Sequence, residues 1–364
     1  MSQQIKNKIT NLRSQINDLR YRYHVLNEPD ITDAMYEGLM YELKKLEEEY
    51  PQFHSDVSPT NRVAGVPLSK FGKVPHDVRQ WSFDDAFNRE DILNWQKKIH
   101  RFLQKEYGEV PSDLSYNVEL KIDGLHIVLT YKNGVLETAA TRGDGVVGEN
   151  VTQNIKTIQT IPLELATKEN ITIEGEVWMG ATMFNELNKQ REAQGKQLYA
   201  NPRNFAAGTV RQLDATVVAK RKLQITAYDI SLGAIPPTQD KEILKLKELG
   251  FLTDSFAKEC KTLDQIMNFY NDWIDKKNSQ EFWIDGLVIK VNQKKYQEVL
   301  GYTGKSPRWA IALKFPAEQA TTTIKEIFLQ VGRTGVITPV ALMDAVSLAG
   351  TTVTHATLHN FDEI

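Results

Sequence analysis

The chain has 364 residues, with 44 Lys and Arg against 47 Asp and Glu, a net charge of -3, and one cysteine, Cys260. At roughly 150 residues per domain, that length implies two or three domains whose cores need no staples. A single cysteine excludes a disulfide framework and a four-cysteine zinc site, the charge balance gives no global sign of nucleic-acid binding, and no apolar run approaches the ~20 residues of a membrane span. A cytoplasmic protein without a membrane partner is expected.

Apolar side chains recur at Ile5, Ile9, Leu12, Ile16, Leu19, Tyr23 and Leu26, a three-four spacing that stacks them on one stripe of a long helix. After Asn27-Glu28-Pro29-Asp30, a second stripe runs Tyr36, Leu39, Met40, Leu43, Leu46 and Tyr50 and stops at Pro51. Residues 1–50 therefore read as a helical hairpin. Pro51, Pro59, Pro67 and Pro75 mark an ordered connector, with a boundary near residue 70.

Beyond it the period changes to two, as in Val118, Leu120, Ile122 and in Trp309, Ile311, Leu313, Phe315. Asn133-Gly134 between two such runs predicts a tight antiparallel hairpin. Helices expected at 90–105, 181–194, 241–249 and 262–277 interrupt the strands too irregularly for a βαβ repeat, so the fold class is α+β. No Rossmann or Walker phosphate loop is present. A further β-rich segment begins near residue 318 and is short for a domain. The expected domains are 1–72, 73–317 and 318–364.

The sharpest chemical signal is Glu119-Leu120-Lys121-Ile122-Asp123-Gly124, where alternation buries Val118, Leu120 and Ile122 and leaves Glu119, Lys121 and Asp123 on the other face. Alone, that reads as a surface strand with salt bridges. It is followed in order by Thr141-Arg142-Gly143-Asp144-Gly145, Glu174-Gly175-Glu176-Val177, Asp285-Gly286-Leu287-Val288-Ile289-Lys290 and Trp309-Ala310-Ile311-Ala312-Leu313-Lys314-Phe315. Together these resemble the motifs of the covalent nucleotidyltransferases, which include DNA ligases, RNA ligases and mRNA capping enzymes. YHVLNEPDITDAMY in the hairpin, ANPRNFAAGTVRQLD at 200–214 and QVGRTGVITPVA at 330–341 narrow the resemblance to the NAD-dependent bacterial DNA ligases, over essentially the whole chain.

The resemblance implies a helical hairpin domain that holds nicotinamide mononucleotide (NMN), an antiparallel nucleotidyltransferase domain, and an incomplete OB-fold barrel, with nick sealing impaired. It implies that Lys121 takes AMP from NAD, releases NMN, and passes AMP to the 5′-phosphate of a nick in double-stranded DNA. A lysine must lose its proton before it attacks phosphorus, and positive groups around the α-phosphate aid the transfer. Arg142, Lys290 and Lys314 fit that task. Glu119, Asp123, Gly124, Glu176, Asp285 and Ser82 complete the nucleotide-binding set by resemblance, and Tyr23, His24, Asp33, Tyr36 and Glu37 the NMN set. Asp285 and Lys290 have opposite parity, so both face inward only across a bulge. Magnesium is implied, without a dedicated metal cage.

Residues 188–222 hold Lys189, Arg191, Lys196, Arg203, Arg211, Lys220, Arg221 and Lys222 against Glu192 and Asp214, a stretch suited to phosphate. By resemblance Arg203, Arg211 and Arg333 contact DNA. His355 and His359 have helical metal spacing, but the threonine-rich run before them reads as strand, so no metal site is assigned. The sequence departs from the family pattern at Glu37 for Asp, His126 for a small residue, Glu174 for Arg and Phe205 for Ala. A monomer is expected. The alternatives are an ATP- or GTP-using nucleotidyltransferase, or a non-catalytic DNA-binding remnant.

Overall fold

The computed structural model describes residues 2–26, 33–63, 68–199, 201–316, 320–331, 335–348 and 351–358. Contacts divide the chain into two units, Met1–Leu187 with Pro202–Phe315, and Asn188–Asn201 with Pro316–Ile364.

The first unit begins with helices α1 (Ser2–Tyr21) and α2 (Asp33–Glu49). Ile9, Leu12, Ile16 and Leu43 are buried between them, with Ile5, Leu39, Met40 and Leu46 packed around, as the two apolar stripes require. The end of α1 widens into a π-helical turn over Arg22–Leu26, a local irregularity common at functional sites. Pro51 and Pro59 each open a 3-10 turn, while Pro67 and Asn27-Glu28-Pro29-Asp30 lie outside the described residues. Arg62 then donates to the carbonyls of Lys156, Ile158 and Ile161 at 3.1, 3.1 and 2.9 Å, tying the connector to the rest of the unit.

In chain order the strands of the first unit are β1 (Lys73–Pro75), β2 (Asp84–Ala86), β3 (Tyr116–Ile122), β4 (Leu125–Lys132), β5 (Val135–Thr141), β6 (Val147–Glu149), β7 (Ile171–Trp178), β8 (Gln224–Leu232), β9 (Lys258–Cys260), β10 (Ile284–Val291) and β11 (Ala310–Lys314). They form a five-stranded sheet ordered β2-β11-β10-β3-β9, a four-stranded sheet ordered β5-β4-β7-β8, and the pair β1-β6. The expectation of a wholly antiparallel domain is corrected at one edge, where β2 runs parallel to β11. The two strands are far apart in sequence, so no tight turn imposes a direction on them.

One face of the five-stranded sheet is covered by α3 (Arg89–Tyr107) and by the helix Leu263–Lys276. Asn88 caps α3 by accepting from the Asp91 amide, and Thr262 caps the other helix by accepting from the Gln265 amide. Ile92, Ile99, Leu103 and Ile266 pack on Val118, Leu120, Leu287, Ile289 and Leu313. Strand alternation then turns Glu119, Lys121, Val288 and Lys290 to the opposite face. Between β4 and β5, Asn133 and Gly134 take φ of 48° and 76°, the left-handed pair that a two-residue hairpin needs.

In the second unit β12 (Ile324–Val331), β13 (Ile337–Leu348) and β14 (Thr351–Thr357) form an antiparallel sheet in that order. His355 lies in β14, and His359 falls outside the described residues. Among the described residues no helix is long and apolar enough to cross a membrane.

Candidate active site

Lys121 lies on β3 at a narrow slot between the two larger sheets. The slot, about 70 Å³, is lined by Glu119 and Lys121 of β3, Val288 and Lys290 of β10, and Glu176, Thr226 and Tyr228 of β7 and β8, with Phe83 and Asp254. It shares Phe83, Tyr228 and Lys290 with a cavity of about 700 Å³ that runs along Trp81, Glu174, Asp229 and Trp309, within the usual size range for a small-molecule site.

The bulge that parity demands is present, as the register of β10 against β3 shifts between Ile284 and Gly286. Across it Asp285 reaches Lys121, with Nζ to Oδ1 3.4 Å, and Lys314, with Nζ to Oδ2 2.7 Å. One carboxylate thus serves two ammonium groups, and its Oδ1 has no hydrogen bond. Lys314 pairs in register with Gly286, and Ala312 with Val288, so Lys314 shares the slot-facing side with Lys290.

The surface-strand reading of Glu119 does not hold, because β3 is covered on both faces and Glu119 is 4% exposed. Its partner is not Lys121 but Lys290, whose Nζ donates to Glu119 Oε2 at 3.0 Å, while Asn117 donates to Oε1 at 2.8 Å. Burial raises the Glu119 carboxyl above its ordinary range, against the pull of Lys290. Burial likewise raises Glu176 to about 7, against Lys121 and Arg203 and with Asp123 and Asp285.

Asp123 lies beyond the end of β3 and pairs with Arg203 at 3.2 Å, so the lysine is not held between Glu119 and Asp123. Gly124 joins β3 to β4 against β7, and a Cβ there would stand 2.3 Å from the Val177 carbonyl oxygen and 2.9 Å from Glu176 Cγ. Arg142 donates from Nη1 to Ser82 Oγ at 2.7 Å. Arg211 pairs with Glu149 at 2.8 Å, and Arg333 lies outside the described residues.

Tyr23, His24, Tyr36 and Glu37 come together. They line a cavity of about 510 Å³ whose other wall includes Thr157, Lys222 and Gln224, and it has no lining residue in common with the slot. Tyr23 is 41% exposed and stands edge-on to His24, with ring centroids 4.7 Å apart. Asp33 begins α2, and its side chain lies outside the described residues.

Tyr228, Thr226, Phe83 and Asp254 escaped the sequence reading. Thr226 and Tyr228 share a face of β8, a period-two run without a motif. Asp254 takes the Leu120 amide on Oδ2 at 2.7 Å, where β9 has stopped pairing with β3 at Val118, and no local pattern signals that. Among the described residues no group of three or more His, Cys, Asp or Glu side chains is placed to hold a metal ion.

A lysine strand walled by acidic, basic and aromatic side chains between two sheets belongs to a nucleotide-handling protein. The chain belongs to the NAD-dependent DNA ligase family: residues 68–318 match its adenylation domain, 2–64 the DNA ligase-like N-terminal NAD+-binding domain, and 321–364 its OB-fold domain. It is similar to the DNA ligase of Desulforamulus reducens, 46% identical over 367 residues, covering 100% of this chain and 54% of that protein. The DNA ligase of Thermotoga neapolitana is 44% identical over 361 residues, covering 98% of this chain and 51% of the relative. The chain therefore spans about half the length of these relatives.

Proposed function

We propose that this chain carries the adenylation step of an NAD-dependent DNA ligase: Lys121 Nζ attacks the α-phosphorus of NAD, the bond to NMN breaks, and AMP remains on the lysine. The observation that carries this reading is Lys121 and Lys314 sharing Asp285 at the edge of the slot. In that arrangement Asp285 Oδ1 is placed to take the proton that Lys121 must lose. Lys290, Lys314 and Arg142 supply positive charge for the phosphate oxygens, and Glu119, Glu176 and Tyr228 form the walls for the base and sugar. NAD contributes the reactive phosphoanhydride. The slot of about 70 Å³ is narrow for an adenosine, so the larger cavity that shares its lining has to contribute room.

In the same reading residues 1–72 form a helical hairpin domain in which Tyr23, His24, Asp33, Tyr36 and Glu37 hold the NMN half, residues 73–317 the adenylation domain, and 318–364 part of an OB-fold barrel. A magnesium ion arriving on the nucleotide phosphates would need only one or two carboxylates rather than a cluster of three, and Asp123 beside the lysine strand would supply one. AMP then passes to the 5′-phosphate of nicked DNA, with Arg203, Arg211 and Arg333 on the DNA, in a monomer of the bacterial cytosol. The test is labelling by NAD with magnesium, native against Lys121→Arg, since a guanidinium stays protonated and cannot attack. Labelling of the variant would refute the assignment.

A further inference from the structure

His126 on β4 and Glu174 on β7 meet beside Tyr228. The His126 side chain is 15% exposed and its Nε2 stands 3.8 Å from Glu174 Oε2. Its Nδ1 lies 2.6 Å from the Tyr228 hydroxyl and its Nε2 2.9 Å from Gln80 Oε1. Gln80 is oriented by its own amide, whose Nε2 donates to the Val78 carbonyl at 2.8 Å. The atom it presents to the imidazole is thus an oxygen, which can only accept. The ring proton therefore sits on Nε2, and Nδ1 is left to accept from the Tyr228 hydroxyl. Burial, with Arg142 and His76 and against Asp229, pushes the imidazole down to about 3, while burial and Asp229 raise the neighbouring Glu174 carboxyl to about 7, so the imidazole stays in the neutral form this arrangement requires.

Tyr228 is a wall of the slot that holds Lys121. Its carbonyl accepts from Lys290 Nζ at 3.1 Å and from Gln239 Nε2 at 3.1 Å, and Lys290 Nζ stands 5.2 Å from its ring centroid. Backbone and ring are thus fixed from the Lys290 side, and the hydroxyl end is fixed by His126. Removing the imidazole leaves a buried hydroxyl without its acceptor and the ring without its second anchor.

We infer that His126 is a positioning residue for the nucleotide: through Nδ1 it holds the Tyr228 ring as a wall of the slot beside Lys121, and so sets affinity for the flat base of the adenylate half of NAD. It touches no reacting atom. The inference rests on the adenylation reading above.

The test measures self-adenylation of the full chain against NAD concentration for the native protein, His126→Ala, Tyr228→Phe and the double variant. His126→Ala should raise half-saturating NAD about tenfold, the worth of about one hydrogen bond, with a much smaller change in the saturated rate. The double variant should be no worse than Tyr228→Phe, because His126 then has no hydroxyl to hold. Multiplying effects, or a loss confined to the saturated rate, would overturn the inference. A native chain that takes no adenylate defeats the adenylation reading itself, and the inference with it, before any variant is compared. Independently of activity, the 15N shifts of the His126 imidazole, assigned through bonds in the isotope-labelled native chain, should report a proton on Nε2 from about pH 5 to 8. A proton on Nδ1, or titration in the ordinary histidine range, would overturn the positioning role even if every variant misfolds.

Discussion

Glu119 and Lys290 show how much a single pair of side chains carries here. Both are almost fully buried, at 4% and 2% exposed, and both Glu119 oxygens are used. Breaking such a pair leaves an uncompensated buried charge, so Glu119→Ala should cost about 3–5 kcal/mol in denaturant unfolding. A loss under about 1 kcal/mol would show the pair to be dispensable. Glu176 gives a pH signature. Its carboxyl keeps a proton to about 7 when folded and releases it near 4.5 when unfolded, so across that window the folded state binds more protons and its stability falls as pH rises. Glu176→Gln removes this contribution. The variant should therefore gain Tm relative to the native chain between about pH 4.5 and 8, and a constant difference would contradict the assigned titration.

At the scale of elements, alternation made much of the site legible. The parity of β3 separates Val118 and Leu120 from Glu119 and Lys121, the parity of β11 puts Lys314 with Ala312, and the mismatch between Asp285 and Lys290 required the bulge found between Ile284 and Gly286. Partners were not legible, because they depend on which distant strands become neighbours. Glu119 meets Lys290 only since β3 lies beside β10, and Tyr228 enters only since β8 lies beside β7. The short helices Pro202–Val210 and Lys294–Leu300 were missed for the related reason that so few turns carry little periodicity. Gly124 was recognised as part of a motif, whereas its physical cause needed the structure: β7 passes too close for a Cβ. Gly124→Ala must push back the Val177 carbonyl and Glu176, at about 1–3 kcal/mol. Adenylation should fall by at least tenfold in protein that still melts cooperatively, and native activity in that variant would contradict the close approach.

For the whole chain, the two residue sets proposed for the two halves of NAD matter most. Tyr23 and His24 line one cavity and Lys121 another, so the part each plays toward NAD can be tested separately. Because Tyr23 is half exposed, Tyr23→Ala should leave the fold intact while raising half-saturating NAD about tenfold or more. Unchanged NAD dependence would remove the hairpin from the reaction. The most direct measurement of the central claim is the intact mass of the chain after incubation with magnesium and, separately, NAD, ATP or GTP. One added adenylate from NAD alone, localised to Lys121 and accompanied by free NMN, is the expected result. No adduct with NAD, an adduct from ATP or GTP instead, or an adduct that survives Lys121→Arg would contradict it.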